Sequence, residues 1–153
     1  VRRLLVLALL AAAGCTAGAP AAGGGSSSSS AGGVTVVDVS LTTGTVVGTA
    51  FGTSQGYTPA ITTVPLGTMV QFVNRDTFAH TATSVSGASF PNDPGFTSSA
   101  LTPSGSRLSA GWTSGTLAAG ASSPPVLADV AGTYLYGCFF HYSAPMRGAI
   151  VVR

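Results

Sequence analysis

From Val34 onward, apolar and polar residues fall into short β-prone runs separated by turn residues. Alternation with a period of two places every second side chain on one face of a strand. "VTVVDVSL" (34–41) opens the series. "AITTVPLGTMVQFVN" (60–74) holds two runs hinged at Pro65-Leu66-Gly67; in the second, Val70, Phe72 and Asn74 fall on one face and Met69, Gln71 and Val73 on the other. "AHTATSV" (79–85), "RLSAGWTSG" (107–115), "GTYLYGC" (132–138) and "GAIVVR" (148–153) complete the predicted strands. No window beyond the first residues carries a helical period. Many short strands at irregular turn spacing predict an all-β chain: a two-sheet antiparallel Greek-key β-sandwich. Asp129, Gly132 and Tyr134 fit a corner in which a tyrosine ties a strand start to its connection, a structural role.

The first 33 residues follow other rules. "VRRLLVLALLAAAGC" places two Arg before an apolar run and small residues, the layout of a signal peptide ending in a lipobox-like Ala12-Ala13-Gly14-Cys15. This predicts a leader over 1–15, lipidation at Cys15, and an exported protein on the periplasmic or cell-surface face of a bacterial membrane. Residues 16–33, rich in Gly, Ser and Ala, cannot build a core and read as a flexible linker spanning about 23 Å on average. The folded domain is then expected over 34–153. Its four Arg (75, 107, 147, 153) balance four Asp (38, 76, 93, 129), and the chain has no Lys or Glu. A nucleic-acid role has no electrostatic support. No apolar run reaches the roughly 18–20 residues of a spanning helix, so membrane attachment is expected through the lipid alone.

Soft-metal ligands are scarce and clustered. His80 and His141 are the only imidazoles, Cys138 is the only thiol after Cys15, and Met69 and Met146 are the only thioethers. Three of these fall within "CFFHYSAPMRG" (138–148), spaced Cys-x2-His-x4-Met. If Cys15 carries lipid, Cys138 has no disulfide partner, and a lone thiol in an oxidising compartment calls for an occupant. A strand end and return loop bearing Cys138, His141 and Met146 can surround one point, with His80 reaching it from a neighbouring strand. Two imidazoles and a thiolate with a weak axial thioether are the blue-copper donor set. The bland alternative is a strand end whose sulfur atoms are ordinary core. Met69, inside a strand pattern, reads as core filler.

Two blocks resemble the cupredoxins, the plastocyanin and pseudoazurin group in particular. "VPLGTMVQFVNRDTFAH" matches Gly-x-x-Val-x-Phe-x-Asn followed by the first His, and "GTYLYGCFFHYSAPMRGAIVV" matches Gly-x-Tyr-x-Tyr-x-Cys-x2-His-x4-Met-x-Gly with a closing strand. The resemblance covers 57–153 and implies one copper ion, cycling between Cu(I) and Cu(II), on His80, Cys138, His141 and Met146. Asn74 and Thr81 are then expected to brace the site from behind; Thr81 stands where the family commonly has Asn. Gly137 replaces the aromatic that precedes the Cys in plastocyanin, so a remote aromatic route for electrons is not expected. The 57 residues between His80 and Cys138 exceed the plastocyanin spacing, and "FPNDPGF" (90–96) falls in this extra length with no assigned role.

The expected function is one-electron transfer between exported redox proteins, a cytochrome or an oxidase or reductase, by a monomer that is not an enzyme. Copper delivery or storage is the alternative. A pair of imidazoles cannot build a multicopper cluster, and without Glu a zinc hydrolase lacks its base. His141 is expected to lie nearest solvent, within an apolar docking patch of Phe140, Pro145 and Ala79.

Overall fold

The structure is a computed structural model in which residues 33–153 are described; the leader, Cys15 and the linker through residue 32 lie outside the described residues. Strand β6 (Met69–Asn74) shows how the alternation becomes packing. Val70, Phe72 and Asn74 are fully buried, while on the opposite face Met69 and Gln71 are only partly covered and Val73 is buried. The other strands are β1 (Val34–Val39), β2 (Val47–Thr49), β3 (Gly52–Ser54), β4 (Tyr57–Thr58), β5 (Ile61–Val64), β7 (Thr83–Val85), β8 (Val126–Leu127), β9 (Gly132–Gly137) and β10 (Arg147–Val152). They form one sheet in the order β4-β1-β6-β8, a second in the order β5-β10-β9-β7, and the separate hairpin β2–β3. The two four-stranded sheets make the sandwich. Two pairings are parallel, β1 with β6 and β5 with β10; the remaining strand pairs are antiparallel.

The inner faces meet in one core. Val37, Val39, Val70 and Phe72 come from one sheet, and Val64, Tyr136, Ile150 and Val152 from the other. Phe72 stacks on Trp112 with centroids 5.2 Å apart and meets Tyr136 edge-on at 5.1 Å. Tyr57 closes the group, 4.8 Å from Tyr136. Leu135 and Ala149 point out of the second sheet's other face, where Phe51 at the hairpin tip and Phe90 cover them. Tyr134 Oη donates to the Val130 carbonyl at 2.9 Å, the expected corner.

Residues 107–115 are not a regular strand. Leu108–Ala110 form a short 3-10 turn, Gly111 takes a positive φ (75°), and the chain then meets β7 through one bridge, Thr113 to Thr83, and the Ser84 N–H bond to the Trp112 carbonyl. The physical reason is that the apolar residues here bury singly: Leu108 and Trp112 enter the core while Ser109, Ala110 and Gly111 stay exposed. Among the described residues no helix is long and apolar enough to cross a membrane.

Candidate metal centre

The parallel register of β1 and β6, Val39 opposite Asn74, brings both strands to an end side by side. The segment after β6 then curls over the end of the sandwich to His80, which pairs with Leu117 through both backbone bonds, at 3.1 and 2.8 Å. Asn74 holds this curl from inside. Its Nδ2 donates to the carbonyls of Phe78, Leu117 and Ala118 at 2.8–3.1 Å, and its Oδ1 accepts from the Asp76 N–H at 2.9 Å.

Cys138 follows β9 directly. The loop to β10 closes on itself: the Cys138 N–H donates to the Met146 carbonyl at 3.0 Å, and the N–H groups of Ala144 and Met146 donate to the His141 carbonyl. Gly137 is required here. A Cβ at that position would lie 2.4 Å from the Tyr142 ring, which lies against the backbone where a side chain would stand. Arg147 covers Tyr142, its guanidinium carbon 4.3 Å from the ring centroid, and Phe96 meets the same ring edge-on at 5.6 Å. The "FPNDPGF" segment therefore does pack at the site end of the domain. Phe96, Phe139, Phe140 and Tyr142, with Asp93, line a groove of about 300 Å³ beside the Cys–His loop.

The donor atoms converge. One nitrogen each from His80 and His141 and the sulfur of Cys138 all lie within 4.8 Å of one another. Cys138 Sγ is 3.7 Å from His80 Nδ1 and 3.6 Å from His141 Nδ1. Metal–nitrogen bonds of about 2.0–2.1 Å and metal–thiolate bonds of about 2.3 Å, meeting at about 110–120°, hold N and S roughly 3.5–3.8 Å apart, a range that includes both distances. The residues therefore fit a small, soft transition ion. Met146 is fully buried, with its side chain against the Gly56 backbone, where a Cβ would come within 2.9 Å of Met146 Cγ.

At Cys138 and His141, burial favours the neutral form before a metal arrives. Burial raises the Cys138 thiol pKa, opposed by N–H groups of Thr81, Phe140 and His141. Burial, and then the neighbouring His80, lower that of His141. A metal must displace the thiol proton, which couples binding to proton release. Thr81 grips the thiol loop twice: its N–H points at Cys138 Sγ (3.4 Å), and its Oγ1 accepts from the Phe139 N–H (2.8 Å). Its own carbonyl accepts the Tyr57 hydroxyl, so the residue is fixed from both sides.

Two residues at the centre are not among the sequence-based expectations. Phe78 is 38% exposed, with its ring 4.8 Å from that of His80 and 5.5 Å from that of His141. Asp76 is buried and accepts a hydrogen bond from His80 Nε2 at 2.8 Å. Burial alone would raise its carboxyl pKa; hydrogen bonds from Thr42, Ser40, His80 and the Leu41 N–H outweigh that and hold it well below the usual range. The spacing Asp76-x3-His80 was the one available signal in the sequence.

His80 is fully buried and His141 is partly exposed. Phe140 is 43% exposed, Ala79 and Pro145 are half-buried, and all three lie in the two loops that carry the imidazoles.

Solved structures share this architecture. A purple cupredoxin from Nitrosopumilus maritimus matches with a TM-score of 0.50 at 21% identity, over 77% of this chain and 98% of that one. A mutant plastocyanin of fern matches with a TM-score of 0.50 at 23% identity, over 78% of this chain and 100% of that one. This chain has the cupredoxin fold. Neither a family model nor a curated protein matches the sequence. Within the cupredoxin fold, the converging His80, Cys138 and His141 occupy one end of the sandwich, in loops that follow β6 and β9.

Proposed function

We propose that this domain carries single electrons on one copper ion held by His80, Cys138 and His141, with Met146 as a weak axial ligand. The observation that supports this most is the Nδ1–Sγ–Nδ1 cluster, two imidazoles and a thiol converging in a mostly buried pocket at metal-ligand separations. Copper in such a donor set supplies a Cu(I)/Cu(II) couple, thiolate and thioether favouring the reduced form and imidazole accepting both.

The residues do the rest. The closed Cys138–Met146 loop, the Asn74 brace and the two contacts of Thr81 hold the donors in one arrangement, which limits movement when an electron is exchanged. Burial of His80 and Cys138 excludes water and substrate, which supports a carrier over an enzyme. The same burial speaks against copper delivery, where ligands must be reached and exchanged. Spectroscopy of the copper-loaded protein separates the readings: an intense visible Cys-to-Cu(II) band supports the carrier. Tight Cu(I) binding without that band would favour delivery.

Electrons enter and leave through the His141 edge, which reaches the surface between Phe78 and Phe140 in this reading. An apolar face around a ligand suits a transient encounter with a redox protein such as a cytochrome, oxidase or reductase. With arginines and aspartates balanced, long-range steering is weak, so transfer should depend little on ionic strength. Phe140→Asp should lower the bimolecular transfer rate by about tenfold, roughly the 1.4 kcal/mol that a buried carboxylate would cost an apolar contact at minimum. Stopped-flow transfer at several salt concentrations checks this; a steep salt dependence with no response to Phe140→Asp would place docking elsewhere.

The location is proposed on the sequence alone: export, cleavage before Cys15 and lipid attachment there, leaving the domain tethered to a membrane through 16–33. Intact-protein mass of the membrane fraction should show acyl groups lost in Cys15→Ala. Wild-type protein recovered soluble, without acyl mass, would refute the anchor.

A further inference from the structure

His80 presents only one nitrogen to the metal centre, because the other is held by a carboxylate. Asp76 Oδ2 receives His80 Nε2 at 2.8 Å and the Leu41 N–H at 2.6 Å. Its Oδ1 receives the hydroxyls of Ser40 (2.7 Å) and Thr42. Both side chains of the Asp76–His80 pair are fully buried. Two backbone N–H groups, the imidazole and two hydroxyls can all donate to the carboxylate, the Thr42 N–H completing the set at 3.4 Å, and the anion accepts from all of them at once. A buried charge is retained only where hydrogen bonds compensate it, and here the segments that follow β1 and β6 supply them.

We propose that Asp76 is a positioning residue that fixes His80 as the Nε2–H tautomer, aims Nδ1 at the metal, and favours the oxidised ion; this rests on the copper reading above. The carboxylate accepts the Nε2 proton, so the lone pair must sit on Nδ1, on the Cys138 side. Charge bookkeeping gives the redox direction. With neutral imidazoles, Cu(II), the thiolate and Asp76 sum to zero, whereas Cu(I) leaves a buried net negative charge. The carboxylate therefore stabilises Cu(II) more than Cu(I) and lowers the reduction potential.

The anchor couples the metal end to β1. Ser40 and Thr42 follow that strand directly, and its parallel register with β6 sets them beside Asp76. Asp76→Asn can keep the tautomer, its amide oxygen facing His80 and Leu41 and its NH₂ facing the Thr42 hydroxyl, which can turn to accept, while the Ser40 hydroxyl, already accepting from the Thr43 N–H and hydroxyl, turns its proton away. The variant removes the charge but not the acceptor. Asp76→Ala removes charge and acceptor together.

Nitrogen NMR of the metal-free protein should show His80 protonated at Nε2, with slow exchange, in wild type and Asp76→Asn, and a lost or mixed tautomer in Asp76→Ala. In the copper-loaded protein, Asp76→Asn should weaken Cu(II) binding relative to Cu(I) by about tenfold or more, the lower end of what such partners carry. That ratio raises the potential by about 59 mV for a one-electron couple. A wild-type His80 protonated at Nδ1 overturns the inference whatever the variants do. An unchanged potential in Asp76→Asn, with the same tautomer in Asp76→Ala, reduces Asp76 to a strut between two loops and also overturns it. Absence of the visible band in the wild-type protein counts against the copper reading instead, while the tautomer measurement still decides the role of Asp76.

Discussion

Cys138→Ser should remove the visible band and redox activity entirely while leaving the sandwich folded. A hydroxyl is a poor ligand for a soft ion and keeps its proton at neutral pH, so the donor set loses its only anion in direct reach of the metal. The fold should tolerate the change. The introduced hydroxyl can accept from the Thr81 N–H, as the sulfur does at 3.4 Å, and donate to either imidazole Nδ1. A buried hydroxyl so satisfied costs about 1–2 kcal/mol or less. Absorption, metal content and circular dichroism together check this. A Cys138→Ser protein that kept the band would remove Cys138 from the site.

Phe72→Ala should cause the largest loss of stability. Phe72 is fully buried and joins the two sheets, stacked on Trp112 and edge-on to Tyr136 and Tyr57. Truncating a core Phe costs about 3–5 kcal/mol, a large share of the roughly 5–15 kcal/mol that holds a domain together. The midpoint of thermal unfolding should fall on the order of 10–20 °C. Below that midpoint the visible band of the copper-loaded variant should persist, because Phe72 supplies no donor and reaches the centre through intermediaries: Asn74 on the same strand, and Tyr57, whose hydroxyl holds the Thr81 carbonyl. A loss under about 1 kcal/mol would show that the aromatic group is not what joins the sheets.

Strands were legible in the chain because burial on one face imposes a period of two. β1, β5, β6, β7 and β9 lie within the predicted runs, and β10 begins one residue before its own; of the two faces that the pattern of β6 separates, the one bearing Val70, Phe72 and Asn74 is fully buried. The segment 107–115 misled because isolated apolar residues mimic alternation when each enters the core from a turn; the 3-10 turn and Gly111 break the ladder. The short strands β2, β3, β4 and β8 carry too few residues to show any period.

Which residues could bind a metal was legible in the chain, since residues 33–153 hold two imidazoles and one thiol, and the fold brings a donor atom of each within 4.8 Å of the others. Local spacing also determined the Cys138–Met146 loop, whose closing bonds join residues at most eight positions apart. What stands behind and around that set depends on contacts between distant segments. Ser40 and Asp76 are 36 residues apart and meet because β1 and β6 pair in parallel at one register. Phe96 reaches Tyr142, and Tyr142 fills the space over Gly137, through loop closures that leave no periodic trace. The physical reason is the range of the forces. Hydrophobic burial writes itself into local alternation, whereas hydrogen-bond partners across a sheet depend on how strands align, and that alignment is settled only when the whole core is packed.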